Sequence, residues 1–96
     1  MKFQQKVFAL CKLIPKGKVS TYKEIALKLN CKAYQAVGNA LNKNRSQDVP
    51  CHRVIRSDLI VGVFYSGTNE KIKILKSEGI KIVDNKIDKS CLHYFK

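Results

Sequence analysis

The amino-acid sequence predicts a mainly α fold: a small winged helix-turn-helix domain with a three-helix core, a short β wing and an additional C-terminal helix. Three observations lead to this prediction. Apolar residues in the N-terminal half recur every three or four positions, as they do on one face of a helix. Two of the predicted helices are short and separated by a tight turn. The chain also carries a net charge of +12.

The length and the charge narrow the classes of protein to consider. The 96 residues suffice for a single domain with a modest core, residues 1–96. Nineteen Lys and Arg against seven Asp and Glu indicate a polyanionic partner, with nucleic acid favoured over a membrane surface. A solvated lysine-rich surface is the alternative. Without a signal peptide or a run of about 20 apolar residues, we expect a monomeric, cytoplasmic protein with no membrane association.

The first two helices follow from their apolar spacing and their end signals. Helix one has one apolar face and ends at Pro15 and Gly17. Helix two begins at a capping box, in which Thr21 and Glu24 satisfy free backbone amides, and runs to about Leu29. The residues predicted to be buried are Phe3, Val7, Leu10, Cys11 and Ile14 in helix one, and Ile25, Ala26 and Leu29 in helix two.

A third helix is predicted for residues 33–42, after Asn30 interrupts the pattern, with Val37 and Leu41 buried. Helices two and three together suggest a helix-turn-helix, whose second helix enters a groove of DNA. An ordinary three-helix bundle is the alternative. Small residues on the third helix would let its backbone approach DNA closely: Ala36, Gly38 and Ala40.

The second half of the chain predicts a wing and a last helix. A polar loop leads to extended segments at residues 54–55 and 59–63, which we expect to form a small wing. Residues 66–69, Ser-Gly-Thr-Asn, predict a turn that caps a final helix, and Gly79 ends it. For the tail, residues 80–96, two alternatives stay open: an added strand or a dangling basic end.

The sequence Pro-Cys-His-Arg-Val at positions 50–54 is the strongest indication of chemistry. A cysteine attacks as its thiolate, so neighbouring groups that favour the charged form decide whether it reacts. Cys51 lies between a rigid proline and two basic side chains, His52 and Arg53, which an apolar strand interior does not need. The pattern favours a reactive thiol over the alternative, a small buried hydrophobic residue.

The cysteine spacing gives no sign of a metal site or a disulfide framework. The four cysteines, Cys11, Cys31, Cys51 and Cys91, are 20, 20 and 40 residues apart, without the close pairs of zinc and redox motifs. We expect four thiols, no metal and no cofactor. Cys11 lies on the apolar face of helix one, where core packing explains it.

Several motifs, in order along the chain, resemble the C-terminal DNA-binding and catalytic domain of the O6-alkylguanine-DNA alkyltransferases. The resemblance covers residues 3–79, and the ordered set is far more specific than any single motif. The motifs that carry it are Phe-Gln-Gln-Lys-Val at 3–7, Ile-Pro-Lys-Gly at 14–17, Thr-Tyr at 21–22, Ala-Val-Gly at 36–38, Asn44 and the residues at 50–54.

This resemblance implies binding of double-stranded DNA that contains O6-alkylguanine, extrusion of the damaged base, and irreversible transfer of its alkyl group to Cys51. It further implies that His52 is a base acting through water, that Glu78 orients it, and that Tyr22 hydrogen bonds to guanine N3. The other implied positions are Asn44 and Arg53 as supports of the site; Thr21, Lys32, Gln35, Ala36 and Gly38 as DNA contacts; and Leu41, Phe64, Ser66 and Gly67 in the substrate pocket.

Two features depart from the family pattern. Gln35 stands where the family has an arginine that fills the gap left by the extruded nucleotide. Glutamine can still occupy the stack and hydrogen bond to the orphaned base, but it lacks the charge and the planar guanidinium, a loss of about 1 kcal/mol for extrusion. The loop Gly-Val-Phe-Tyr-Ser-Gly at 62–67 replaces Gly-Gly-Tyr-Ser-Gly-Gly, so either Phe64 or Tyr65 takes the tyrosine position and the pocket size stays open.

Three other functions stay open on the sequence alone. A relative that binds alkylguanine without repairing it fits Gln35 and the altered loop, although such relatives usually lack the acceptor cysteine. A winged-helix transcription factor explains the charge and the helices but not residues 50–53. A cysteine hydrolase is the weakest alternative, because no oxyanion-hole signature or second base is visible in the sequence.

Overall fold

The computed structural model of the chain describes residues 2–32, 34–44, 48–62 and 67–95. These residues form a mainly helical domain, which confirms the predicted fold class. None of the helices in the described ranges is long and apolar enough to cross a bilayer. The helices are α1 Phe3–Cys11, α2 Tyr22–Lys28, α3 Tyr34–Asn42 and α4 Thr68–Ser77; the strands are β1 Ser20–Thr21, β2 Val54–Ile55, β3 Ile82–Val83 and β4 Lys86–Ile87; Cys51–Arg53 and Lys89–Cys91 are short 3-10 turns.

α2 begins and ends where the sequence predicts. The Thr21 hydroxyl accepts a hydrogen bond from the Glu24 amide at 3.1 Å, which satisfies one of the free amides of the first turn. After the helix, Asn30 adopts a left-handed conformation with φ of 56°. The Cys31 amide then donates to the Ala26 carbonyl at 2.8 Å. This Schellman closure turns the chain sharply toward α3.

α4 also ends with a Schellman closure. Gly79 has φ of 90°, and the Ile80 amide donates to the Leu75 carbonyl at 3.2 Å. The prediction that Gly79 ends the last helix is therefore confirmed. Glu78, the residue before this glycine, is held at the very end of α4, from which its side chain reaches the site described below.

β1 and β2 form a parallel pair. The register places Ser20 opposite Val54 and Thr21 opposite Ile55. Both residues of β2 are fully buried, which differs from the small wing expected at residues 54–63. A parallel partner from a distant part of the chain suits this burial, because parallel strands are normally covered on both faces.

The tail forms an antiparallel hairpin of β3 and β4, so the added strand is the correct alternative. Asp84 and Asn85 at its turn both have positive φ, of 52° and 63°, as two-residue hairpin turns require. β4 pairs with Ile60, and Leu92 pairs with Val19. Among the described residues, the exposed β element therefore consists mainly of the tail hairpin, to which Ile60 adds one bridge.

Two clusters of buried side chains hold the domain together. The first packs α1, α2 and α3 around the Cys51 turn, and the second packs α4 and the hairpin around Val19, just before β1, and Ile55 of β2. Phe3, which the sequence places in the core, is 36 % exposed at the start of α1. The first cluster contains Val7, Cys11, Ile14, Ile25, Ala26, Val37, Ala40, Leu41, Val49, Cys51 and Val54, and the second contains Val19, Ile55, Val61, Leu75, Ile80 and Ile87.

Gly79→Ala is expected to lower the free energy of unfolding by about 1 kcal/mol, because a side chain is strained at the left-handed φ of this position. Gly38→Ala is the matched control. A Cβ at Gly38 meets nothing within 4 Å, so alanine inside α3 should stabilise the protein by about 0.5 kcal/mol. Urea unfolding of both variants measures the difference, and a loss of stability in both would contradict this account.

Candidate active site

Cys51 begins the 3-10 turn that joins Pro50 to β2. The residue is 7 % exposed and belongs to the first core cluster. Asn44, just beyond α3, donates through Nδ2 to the Val49 carbonyl at 3.1 Å and to the Cys51 Sγ at 3.4 Å. One buried amide therefore holds both the chain that enters the turn and the sulfur atom itself.

Glu78 approaches the turn from the end of α4. Its carboxylate accepts two hydrogen bonds from Arg53, from Nε to Oε1 at 2.9 Å and from Nη2 to Oε2 at 2.8 Å. Oε2 also lies 3.0 Å from Nε2 of His52. Arg53 donates a further bond through Nη1 to the Ile14 carbonyl at 2.8 Å. The two basic side chains next to Cys51 thus share one carboxylate.

The surroundings of these groups shift their protonation. Burial alone would raise the pKa of Glu78, but hydrogen bonds from Arg53 and His52 outweigh it, and the pKa lies below its ordinary value of 4.5. Burial lowers the pKa of His52 below 6.5, although the bond to Glu78 opposes the shift. At neutral pH the site therefore holds an anionic Glu78 and a neutral His52, whose imidazole accepts a proton.

Lys71 is a residue of this site that the sequence analysis missed. Its side chain is fully buried, its Nζ donates to the Val54 carbonyl at 2.7 Å, and Nζ lies 5.8 Å from the centre of the Tyr22 ring. Burial lowers the pKa of Lys71 to about 8, although Cys51 and Cys11 oppose the shift. The sequence contained a signal for Lys71, because positions 71, 75 and 78 have the spacing of one helix face, which places Lys71 on the same side as Glu78.

Cys11 is the second thiol near the site. It is fully buried, as the sequence predicts, and belongs to the same cluster as Cys51. Burial, together with the neighbouring Cys51, raises the pKa of Cys11 to about 12. Cys11 therefore stays a neutral thiol at physiological pH and serves to pack α1 against the core.

Tyr22 and Thr21 were both predicted to act at the site, but their surroundings differ. Tyr22 is half-buried at the start of α2, and burial raises the pKa of its hydroxyl, which keeps the hydroxyl a hydrogen-bond donor. Thr21 is 5 % exposed, and its hydroxyl caps α2. The Thr21 side chain thus has a structural bond and little exposed surface, and its contact with DNA stays a prediction.

α3 has one buried face and one exposed face. Gln35 is exposed, Ala36 and Gly38 are half-buried, and Lys32 is exposed just before the helix. A surface cavity of about 290 Å³ lies against the exposed face, lined by Tyr22, Tyr34, Gln35, Gly38, Asn39 and Asn42. Two predicted DNA contacts, Gln35 and Gly38, thus share one concave surface with Tyr22.

Sequence reasoning missed three residues of this cavity, Tyr34, Asn39 and Asn42. Their spacing was a usable signal, because residues four apart along a helix lie above one another. Tyr34 and Asn42 are each four positions from Gly38, and Asn39 is four positions from Gln35. None of these five residues is charged, so the exposed face of α3 offers an aromatic ring and amides.

The predicted pocket residues are placed only in part. Leu41 is 5 % exposed and lies in the same cluster as Cys51. Gly67 is exposed and precedes the first residue of α4. Phe64 and Ser66 lie outside the described residues. In the described ranges, no three His, Cys, Asp or Glu side chains come together as metal ligands would.

Fold and site together define a class of protein: a small helix-turn-helix domain with a cysteine in a buried turn, flanked by a histidine and an arginine that share a carboxylate. Comparison with known families agrees with this description. The family model described as 6-O-methylguanine DNA methyltransferase, DNA binding domain, matches residues 2–80. The chain belongs to this family, as the sequence motifs predict.

Individual relatives give the extent of the similarity. The methylated-DNA–protein-cysteine methyltransferase of Methanosarcina barkeri is 47 % identical over 79 residues, which cover 79 % of this chain and 49 % of the relative. S. pombe Atl1, solved in complex with damaged DNA containing O6-carboxymethylguanine, is 28 % identical with a TM-score of 0.84, covering 100 % and 99 % of the two chains. Mycobacterium tuberculosis OGT, solved in complex with DNA, is 36 % identical with a TM-score of 0.77, covering 82 % and 49 %. The chain spans about half the length, or less, of the curated relatives that it matches.

Lys71→Met is expected to flatten the pH dependence of stability between about pH 8 and pH 10.5, the folded and ordinary pKa values of this lysine. In that window the unfolded chain binds a proton on Lys71 that the folded chain does not, so the stability of the parent rises with pH. From about pH 8 to pH 9.5, the difference in unfolding free energy between parent and variant should change by about 2 kcal/mol.

Urea titrations at both pH values test this prediction. Lys73→Met is the matched control, because Lys73 is exposed on the same helix, and this variant should keep the parent's pH dependence. If the Lys71→Met variant also keeps the parent's pH dependence of stability, Lys71 is not a buried lysine with a lowered pKa.

Proposed function

We propose that this chain is a DNA repair protein that binds duplex DNA containing O6-alkylguanine, extrudes the damaged base and transfers the alkyl group to Cys51 in a single, irreversible turnover. The observation that carries the proposal is the arrangement around Cys51. A thiol held by Asn44 is followed directly by a neutral histidine bonded to an anionic carboxylate. This is a nucleophile, a base and a group that orients the base.

The residues divide the chemistry between them. The bond from Nε2 of His52 to Glu78 places the imidazole proton on Nε2 and leaves the lone pair of Nδ1 to accept the thiol proton, through an intervening water. The sulfur then forms a bond to the alkyl carbon while the bond from that carbon to guanine O6 breaks, and its electron pair leaves with guanine. Guanine finally gains one proton, which balances the proton lost by the thiol.

Two further groups act on the leaving base and on the turn. Tyr22 keeps its proton, and a hydrogen bond from its hydroxyl to guanine N3 stabilises the charge that develops there. Arg53 holds the Glu78 carboxylate with two bonds and so fixes the position of the orienting group. The protein acts in this scheme as the DNA-binding and catalytic domain of an alkyltransferase.

The surface suits the proposed substrate. The net charge of +12 favours a polyanion, and the exposed face of α3 carries neutral hydrogen-bonding groups beside the half-buried Tyr22. Lysines supply contacts to phosphate, while amides suit contacts to the edges of bases. Two relatives of similar structure were solved with DNA, one of them with an alkylated guanine.

A second candidate function is recognition of alkylguanine without repair. The observation that favours it is the agreement with S. pombe Atl1 over nearly the full length of both chains. Such a protein needs the DNA-binding surface but not the thiol. The buried, hydrogen-bonded Cys51 beside His52 and Glu78 favours repair, because recognition alone does not require a thiol next to a base.

Incubation with a duplex that carries one O6-methylguanine is expected to add one methylene, about 14 Da, to the parent protein, because the thioether is not reversed. Intact-protein mass spectrometry measures the gain. Cys51→Ser is the control and should show no gain while binding the duplex as tightly as the parent. Lesion-specific binding by a parent protein that gains no mass would replace repair by recognition.

The rate of methyl transfer is expected to fall as the pH drops through the lowered pKa of His52, because the protonated imidazole no longer accepts the thiol proton. The acid limb of the single-turnover rate should therefore have its midpoint below 6.5. His52→Gln should remove this limb and leave a slow, flatter profile. A midpoint above 6.5 in the parent would contradict the role of burial in keeping His52 neutral.

A further inference from the structure

Tyr34 is an exposed aromatic residue at the first position of α3. Tyr34 is 44 % exposed and belongs to neither core cluster, whereas Val37, Ala40 and Leu41 pack α3 into the domain. A large part of the ring therefore faces solvent. An exposed ring beside a concave surface is typical of a site that contacts a partner.

The position of Tyr34 relates it to the site of base extrusion. Tyr34 lines the same cavity as Tyr22 and Gln35. Gly38 lies one turn further along α3, on the same side as Tyr34. Because glycine has no side chain, position 38 leaves the space next to the Tyr34 ring open. The described part of the cavity wall contains no charged side chain, so the ring lies in a surface of neutral groups.

A base that leaves the duplex exposes a gap between its two neighbours, and a protein that inserts a flat or apolar side chain there compensates for the lost stacking. Gln35, the next residue, has neither a ring nor a charge. Its amide is able to hydrogen bond to the orphaned base but offers a smaller stacking surface than an aromatic ring. The ring next to it has the shape and polarity that the gap requires.

We propose that Tyr34 enters the gap left by the extruded guanine and stacks on the neighbouring base, while Gln35 hydrogen bonds to the orphaned base. This inference rests on the proposed function and assigns its extrusion step to a particular pair of residues. Tyr34 is a positioning residue in this scheme, since it touches the duplex and not the reacting alkyl group.

The test compares methyl transfer from a duplex with transfer from an unpaired substrate. Tyr34→Ala should lower the single-turnover rate on duplex O6-methylguanine by roughly ten-fold, the effect of losing one base–aromatic stacking contact. The rate on free O6-methylguanine base, which needs no extrusion, should not change. Tyr34→Phe should retain the duplex rate, because the ring and not the hydroxyl stacks. Tyr94→Ala is the matched control, because Tyr94 is 60 % exposed near the end of the chain.

A second readout does not depend on chemistry. With 2-aminopurine at the target position of the duplex, the parent should raise its fluorescence as the base leaves the stack, and Tyr34→Ala should reduce that rise several-fold. An unchanged rise, or equal losses of rate on duplex and free base, would overturn the role of Tyr34. A parent that transfers no methyl group from either substrate would overturn the proposed repair function, and the fluorescence would still decide the role of Tyr34.

Discussion

The bonds between Arg53 and Glu78 are the interaction on which the rest of the site depends. They join the Cys51 turn to the end of α4 across 25 residues of sequence, and Arg53 also donates to the carbonyl of Ile14, in the segment that follows α1. Both side chains are largely buried, at 16 % and 9 % exposed. Removal of one partner from such a pair leaves an uncompensated charge, which generally costs about 3 kcal/mol or more. The position of the turn and the state of His52 therefore depend on the same two charges.

α4 supports the chain from the Cys51 turn to β2. Lys71 on α4 and Glu78 just after its last residue are two helical turns apart on one face, and they bond to opposite ends of the stretch from His52 to Val54. The second core cluster holds α4 in place through Leu75, between these two contacts. The packing of the second cluster thus positions Lys71 and Glu78 against the Cys51 turn, which belongs to the first cluster.

The local parts of this structure could be predicted from sequence, because local rules set them. Thr21 caps α2 and Asn30 closes it, since each position offers the backbone a bond or a conformation that few residues supply. The family resemblance grouped Cys51, His52 and Glu78, and in the structure Nε2 of His52 lies 3.0 Å from Oε2 of Glu78. What the sequence could not supply were pairings between distant segments. β2 has two apolar residues and would suit many partners, so the choice of β1 depends on the whole fold.

The tail packs together with the region that the family model covers. The region recognised as the family domain stops at residue 80, yet Leu92 pairs with Val19 immediately before β1, and Ile87 lies in the second core cluster. The stretch from Val19 leads directly to Tyr22 at the cavity. The last residue matched by the family model therefore lies inside a packed unit, and the tail pairs with the segment that leads to a tyrosine some seventy positions earlier in the chain.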